Sequence, residues 1–458
     1  MIRDHRIHML GIGGAGMSGI ARILAAQGKQ VSGSDLILND TCRKLAAEGI
    51  EIAAEHSADH IKADIELVVI STAVPDDNEE LLEAHKRGIP VIRRGEMLAR
   101  LVEDSRCIAV AGAHGKTTIS SMIYAALEHC DCRPSFAVGA EMQSNGLNAG
   151  LGQGEVFVIE ADESDASFLA LNPYIAVASN IENDHLDFYH SLDNIKDAFV
   201  QFLNQKQQGG LALLCGDDPG IRNIRHRVAE PVVTYGEETS NDYYFDSWKT
   251  LGLGSYCRVY RRGQYLGELR LRIPGRHNSL NALAAVAVGM EYNQKFEELA
   301  AGLQEFQGAS RRFQIIGEVR GITVVDDYAH HPTEVRATLQ AARQAHSGRL
   351  VAIFQPHRYT RTQNLYREFG AAFGDTDWVI LTEVYSAGEA PIAGVSGVLI
   401  YDAIRAAGAQ VSYTPDRQEL MPQLLSLLQP GDLVLCMGAG DIWKDAKQLV
   451  TALNEGRG

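Results

Sequence analysis

The chain has 458 residues, 45% of them apolar and 22% charged, and a mean hydropathy of -0.12; this is the balance of a globular protein, not of a disordered or membrane-embedded one. At roughly 150 residues per domain the length predicts about three domains. The 42 Lys and Arg against 58 Asp and Glu give a net charge of -16, which repels polyanions and argues against nucleic acid or an anionic membrane as partner, so bound phosphate must be held locally.

The uncharged run Met9 to Ala21 is interrupted by Gly13-Gly14-Ala15-Gly16, too glycine-rich for the core of a signal peptide. No run approaches the ~18 apolar residues of a spanning helix, so no membrane insertion is expected. Seven scattered cysteines, Cys42, Cys107, Cys130, Cys132, Cys215, Cys257 and Cys436, show no metal or disulfide spacing and read as reduced thiols of a cytoplasmic protein.

Short Val, Ile and Leu runs alternate with longer amphipathic stretches, which predicts an α/β class built on mostly parallel sheets with helical crossovers. In the first segment, residues 1–106, strands are expected at Ile7 to Leu10, Gln30 to Ser34 and Leu67 to Ser71, with a helix over Met17 to Ala26. Gly11-Ile12-Gly13-Gly14-Ala15-Gly16 fits G-x-G-x-x-G between strand and helix, and Asp35 ends the next strand. Such a loop takes a pyrophosphate on its backbone and helix N-terminus while the acid reaches a ribose hydroxyl, so NAD and any other nucleotide diphosphate both suit it.

A polar break at Glu103 to Arg106 precedes the second segment, residues 107–308, with strands at Cys107 to Ala111, Val156 to Ile159, Ile175 to Ala178 and Leu211 to Leu214. The first runs into Gly112-Ala113-His114-Gly115-Lys116-Thr117-Thr118 and a helix to about His129. This is a phosphate loop shorter than G-x-x-x-x-G-K-[ST], with backbone amides for phosphate oxygens, Lys116 for β/γ charge and the Thr117 hydroxyl for Mg²⁺. Acid clusters end the next two strands, Glu160 to Asp165 and Asn180 to His185, where sheet ligands gather. Glu160 closes its apolar run and is the metal candidate; His185 reads either as a solvent-facing histidine or as a second ligand beside a triphosphate. The tyrosine-rich, glycine-punctuated stretch Val232 to Ile273 predicts an antiparallel insertion, and a helix follows over about Asn278 to Met290.

Gln307 to Arg312 reads as a second linker, and the third segment, residues 309–458, carries strands at Ile322 to Val325, Leu350 to Phe354, Trp378 to Leu381 and Leu433 to Cys436. Two of these end in Asp326-Asp327-Tyr328-Ala329-His330-His331-Pro332 and Gln355-Pro356-His357-Arg358-Tyr359-Thr360-Arg361-Thr362. Arg358 and Arg361, three apart at a predicted helix start, would share a face and clamp a carboxylate or phosphate.

Together, Gly11 to Gly16, Gly112 to Thr118, Glu160 to Asp165, Gly275-Arg276-His277-Asn278, Asp326 to Pro332 and His357 to Thr362 resemble the Mur ligase family over essentially the whole chain. The resemblance implies an N-terminal Rossmann-like UDP-sugar domain, a central ATPase and a C-terminal Rossmann-like domain that binds ATP and the amino acid. It implies UDP-N-acetylmuramate on the first loop, with Gly11, Gly13, Gly14, Ala15, Gly16, Met17, Asp35, Ser71, Thr72 and Arg94 as the substrate-binding set. It assigns Gly112 to Thr118 to ATP, Thr117, Glu160 and His185 to Mg²⁺, His277, Asn278 and Asn281 to the adenine region, and Arg312 and Asp327 to further ATP contacts. Lys116, His185, His330, Arg358 and Arg361 are its implied catalytic set.

The motif His357 to Thr362 is similar to the branch that joins L-alanine to the lactyl carboxylate of UDP-N-acetylmuramate in peptidoglycan precursor synthesis, as a monomer or homodimer, and less to the recycling branch that adds a tripeptide. Two features bear on this. Ala113 stands where relatives often have Thr or Ser, and the central segment has no lysine suited to the carbamylated metal bridge of later ligases. The rival classes are an NAD-dependent dehydrogenase, which leaves Lys116 without a task, and a nucleotide-gated regulator without catalysis.

Overall fold

The computed structural model describes residues 2 and 4–456. Three α/β domains follow one another, each on its own sheet. The first sheet comprises β1 (Arg6–Leu10), β2 (Gln30–Asp35), β3 (Glu51–Ala54), β4 (Leu67–Ile70) and β5 (Val91–Arg93), all parallel, in the order β3-β2-β1-β4-β5. The strand order reverses at β1, so its carboxyl end opens into the crevice where such sheets bind ligands. The glycine loop occupies that position and runs into helix Ala15–Ala26.

The second sheet contains β6 (Arg106–Ala111), β7 (Ser135–Ala137), β8 (Ala149–Gly150), β9 (Val156–Glu160), β10 (Ile175–Ala178), β11 (Leu211–Cys215), β12 (Val232–Gly236), β13 (Tyr243–Leu251), β14 (Gly254–Arg261) and β15 (Gln264–Leu271). Their order is β15-β14-β13-β12-β11-β10-β6-β9-β7-β8. The strands from β12 across to β7 pair in parallel, and β8 returns antiparallel to β7. Two-residue loops join β13, β14 and β15, the connection that only antiparallel neighbours accept. Arg262 and Gly263 both take positive φ, 47° and 83°, the backbone of a type I′ hairpin. Most important for the site, β6 lies between β9 and β10, so the residues after those two strands flank the loop after β6.

The third sheet has β16 (Gln314–Val319), β17 (Ile322–Asp327), β18 (Leu350–Phe354), β19 (Trp378–Leu381), β20 (Val411–Tyr413) and β21 (Leu433–Met437), in the order β16-β17-β21-β18-β19-β20. Only the β16–β17 pair is antiparallel. Strand β17 runs two residues beyond the apolar stretch that announces it, because Asp326 and Asp327 still pair with Cys436 and Met437.

By internal contacts the chain forms two compact units: residues 1–246, 258–269 and 280–306, and residues 247–257, 270–279 and 307–458. The first two domains share one hydrophobic core, in which Met9, Ile20 and Leu24 join the cluster that holds Ile159, Phe168 and Phe202. All seven cysteines are free thiols. Among the described residues no helix is long and apolar enough to cross a membrane.

Candidate active site

The first glycine loop is braced from within its own domain. Gly11 takes φ 75°, and its amide and that of Ile12 donate to the Ser34 carbonyl. Asp35 accepts from the Gly13 amide through Oδ2 (2.9 Å) and from Ile37 through Oδ1 (3.2 Å), so the acid expected at a ribose also fixes the loop. Ser71 stands against Gly11, Thr72 is exposed, and Met17 turns its side chain into the core while its amide stays in the first helical turn. Arg94 lies across Gly16 and reaches the second domain, where Nη2 donates to Asp162 (2.9 Å) and stands 3.5 Å from Asp165. Burial works against the Asp162 charge, but Arg94, Lys116 and the Ser164 hydrogen bonds outweigh it and hold the carboxyl at about 2.

Behind this loop sits a buried carboxylate. Glu80 follows the N-cap Asn78 of helix Glu79–Lys86 and is fully excluded from solvent. It accepts from Ser34 Oγ (2.6 Å) and the Ser57 amide (3.2 Å) and pairs with His60 Nδ1 (2.6 Å) and His8 Nε2 (3.3 Å), with His56 Nδ1 at 3.5 Å. Desolvation opposes its charge, but the hydrogen bonds of His8, Ser34 and His60 prevail and bring it down to about 2.

The phosphate loop is held by the neighbouring strand. Gly112 (φ 144°) and Gly115 (φ 85°) take backbone that side chains disfavour, and a Cβ on Gly112 would collide with Ser179 Oγ. Ser179 donates to the His114 carbonyl (2.7 Å); Asn180 accepts from the His114 amide (2.8 Å) and donates to the same carbonyl (3.0 Å). The Ala113 amide donates to the Asn180 carbonyl. With Ala113 and His114 so engaged, the backbone donors left to meet an anion are those that open helix Lys116–His129, whose N-cap Gly115 offers no side chain. Asn281, from helix Arg276–Glu291, stands against Gly115. The same helix carries exposed His277 and buried Asn278, which donates to the Pro274 carbonyl (2.7 Å).

Lys116 Nζ donates to the Gly112 carbonyl and to Glu163 Oε1, both at 2.7 Å. Burial disfavours its charge, yet Glu163, Glu160 and Asp162 raise it to about 12. Thr117 Oγ1 donates to Glu160 Oε2 (2.8 Å), which also accepts from the Gly139 amide (2.8 Å). His185 Nε2 lies 3.6 Å from Asp184 and 3.8 Å from Glu163. Glu163 Oε2 is buried with no hydrogen-bond partner among the described residues. Carboxylate and hydroxyl oxygens and an imidazole thus stand beside a lysine and an open helix N-terminus, and this donor set fits a divalent cation with a triphosphate.

In the third domain Asp327 accepts from the amides of Phe313 (2.7 Å) and Ala329 (2.8 Å), while Asp326 is gripped by Arg311 (3.2 Å). Burial raises the Asp326 carboxyl to about 6, with Arg311 opposing it. The Arg312 guanidinium lies over the Tyr328 ring (5.1 Å). His330 Nδ1 bonds the Tyr328 carbonyl (2.9 Å) and stands 3.2 Å from Glu334. His357 is stacked on Tyr385 at 5.7 Å, and Arg361 reaches its Nδ1 at 3.3 Å. Burial lowers His330 to about 4 and His357 to about 3, the latter helped by His330 and the nearby arginines, so both rings stay neutral. Arg358 departs from expectation: it is the N-cap of helix Tyr359–Gly370 with φ 71°, outside the helix, and turns toward Glu389 (3.8 Å) instead of sharing a face with Arg361.

The sequence matches three family domains in succession: the Mur ligase family catalytic domain over residues 6–106, the Mur ligase middle domain over 110–289 and the Mur ligase glutamate ligase domain over 311–440. It is 52% identical to the UDP-N-acetylmuramate–L-alanine ligase of Syntrophomonas wolfei over 98% of this chain and 97% of that protein. The same enzyme of Geobacter sulfurreducens is 48% identical over 99% and 98%. The crystal structure of UDP-N-acetylmuramate–alanine ligase from Thermotoga maritima superposes with a TM-score of 0.84 at 31% identity, covering 98% of this chain and 99% of that one. A murein peptide ligase from Psychrobacter arcticus has a TM-score of 0.73 at 24% identity, covering 98% of each chain. With every domain matched and about half of all positions shared along its full length, the chain belongs to the Mur ligase family.

Proposed function

We propose that the protein is an ATP-dependent ligase that joins L-alanine to the lactyl carboxylate of UDP-N-acetylmuramate. The observation that carries this reading is the 52% identity, end to end, with an enzyme of that activity. Residues 1–106 would seat the sugar nucleotide, 107–308 the ATP, and 309–458 the amino acid together with further contacts to ATP. In the reaction a carboxylate oxygen attacks the γ-phosphorus and ADP leaves. The neutral amine of alanine then attacks the acyl carbon, phosphate departs with the C–O electrons, and the nitrogen gives up a proton.

The first step brings two anions together, so fixed positive charge must meet them. Lys116, held in its charged form, and the amides opening helix Lys116–His129 supply it from this chain. Thr117, Glu160 and His185 would hold Mg²⁺, which supplies further charge neutralisation when bound. Because His330 and His357 are neutral and Arg358 is turned toward Glu389, the carboxylate of alanine falls to Arg361.

The test is phosphate release from ATP and UDP-N-acetylmuramate with L-alanine, L-serine, glycine or a tripeptide supplied in parallel. Release with L-alanine, dependent on the sugar nucleotide, is expected. Release with tripeptide alone would assign the recycling activity, and tight NADH binding with no release would assign a dehydrogenase.

A further inference from the structure

The excursion between β7 and β9 reaches out of the second domain and touches the helix of the first glycine loop. Asn148 in this excursion is 4% exposed. Its Nδ2 donates to the Ala15 carbonyl (2.7 Å) and to Ser18 Oγ (3.3 Å), and its Oδ1 accepts from Arg22 Nη1 (2.5 Å). Arg22, also buried, spends its Nε on both oxygens of Glu48 at 3.0 and 2.9 Å. One amide side chain therefore grips the first two turns of helix Ala15–Ala26 at three points, directly behind Gly14, Ala15 and Gly16.

A glycine inside that helix marks the same contact. Gly19 costs the helix about 1 kcal/mol against alanine. A Cβ there would come within 3.0 Å of Ala149 Cβ, so the bare backbone allows the helix and the excursion to approach. The excursion also leads onward. The Val138 amide donates to the Asn148 carbonyl (2.9 Å), and the next residue, Gly139, donates to Glu160 Oε2, the oxygen that accepts from Thr117.

We propose that Asn148 is a positioning residue for the sugar-nucleotide site: the second domain sets the pose of the first domain's diphosphate helix through this side chain. The proposal rests on the reading that the first glycine loop takes UDP-N-acetylmuramate. Asn148 touches no reacting atom, so its loss acts through where the helix amides point. Losing one hydrogen bond of this kind corresponds to roughly a tenfold change in affinity.

Two variants of the full-length protein test it. Asn148→Ala removes donor and acceptor. Asn148→Asp keeps an acceptor for Arg22 but sets a carboxylate oxygen against the Ala15 carbonyl. Calorimetric titration should show UDP-N-acetylmuramate bound about tenfold more weakly by both variants, ATP binding within twofold of the parent, and KM for the sugar nucleotide raised with kcat little changed. Parent-like sugar-nucleotide binding by both variants would overturn the proposal. So would equal losses for both ligands accompanied by a lower Tm in Asn148→Asp, which would make Asn148 an ordinary interface residue. Failure of the parent itself to bind UDP-N-acetylmuramate would instead overturn the functional reading.

Discussion

Replacing Glu80 with glutamine keeps the volume and removes the charge on which three imidazoles and a serine hydroxyl converge. Glu80 is fully buried, and two of its partners sit at 2.6 Å. Removing one member of a buried charged network costs about 3 kcal/mol or more, because the remaining donors cannot return to water. For a unit of this size that loss moves the urea midpoint by roughly 1 M. All three tryptophans, Trp248, Trp378 and Trp443, belong to the second unit, so the transition is followed by far-UV circular dichroism with tryptophan fluorescence as the second unit's reporter. The sign of the pH dependence is fixed by the shift. Folded Glu80 titrates at about 2, below its ordinary 4.5, so its contribution is complete above pH 4.5 and is lost as pH falls toward 2. The gap between parent and Glu80→Gln should be about 3 kcal/mol at pH 7 and should narrow steadily below pH 4.5. Equal midpoints at pH 7, or a gap that persists unchanged to pH 3, would refute the reasoning.

Lys116→Ala should lower kcat at least ~100-fold in a folded protein, since the charge that meets the phosphates is gone; near-parent phosphate release would contradict that role. Thr117→Ala should raise the Mg²⁺ concentration for half-maximal activity about tenfold, by loss of one oxygen ligand, and an unchanged Mg²⁺ titration would remove Thr117 from the metal site. Arg361→Ala should raise KM for L-alanine at least ~10-fold with KM for ATP unchanged, as expected for a lost charge-assisted bond; a shift confined to ATP would reassign it. With His330 near 4 and His357 near 3, neither ring changes charge between pH 6 and 8, so KM for L-alanine should show no histidine midpoint in that interval.

Continuous apolar runs made much of the fold legible. The strands Ile175–Ala178, Leu350–Phe354 and Trp378–Leu381 have the bounds their sequences announce, because both faces are buried and the flanks are polar. Glu51–Ala54, Val91–Arg93 and Gln314–Val319 left no such mark. They are short or edge strands, half exposed, with only one or two apolar side chains each, such as Ile52, Ile92, Ile316 and Val319, packed on a core. Within the candidate site, Gly112 and Gly115 were readable since their positive φ favours glycine, and Lys116 since it follows them in the pattern of a phosphate loop. The hold that Ser179 and Asn180 exert on the phosphate loop from 65 residues away or more was not, although Asn180 opens the cluster marked at that strand end. Nor was the pairing of Lys116 with Glu163, 47 residues apart. Such contacts arise from the strand order β9-β6-β10, which no local spacing encodes. Arg358 misled for a different reason: the left-handed backbone that takes it out of the helix is adopted by a residue with no preference for it.

The staple formed by Ser179 and Asn180 has a thermodynamic side. Because these two side chains directly follow a strand buried in the sheet, the curve of the phosphate loop is set when the domain folds and the ordering entropy is settled there. On the proposed function each turnover would start from a rigid seat, and an incoming anion would spend its binding energy on alignment with the lysine and not on organising the loop.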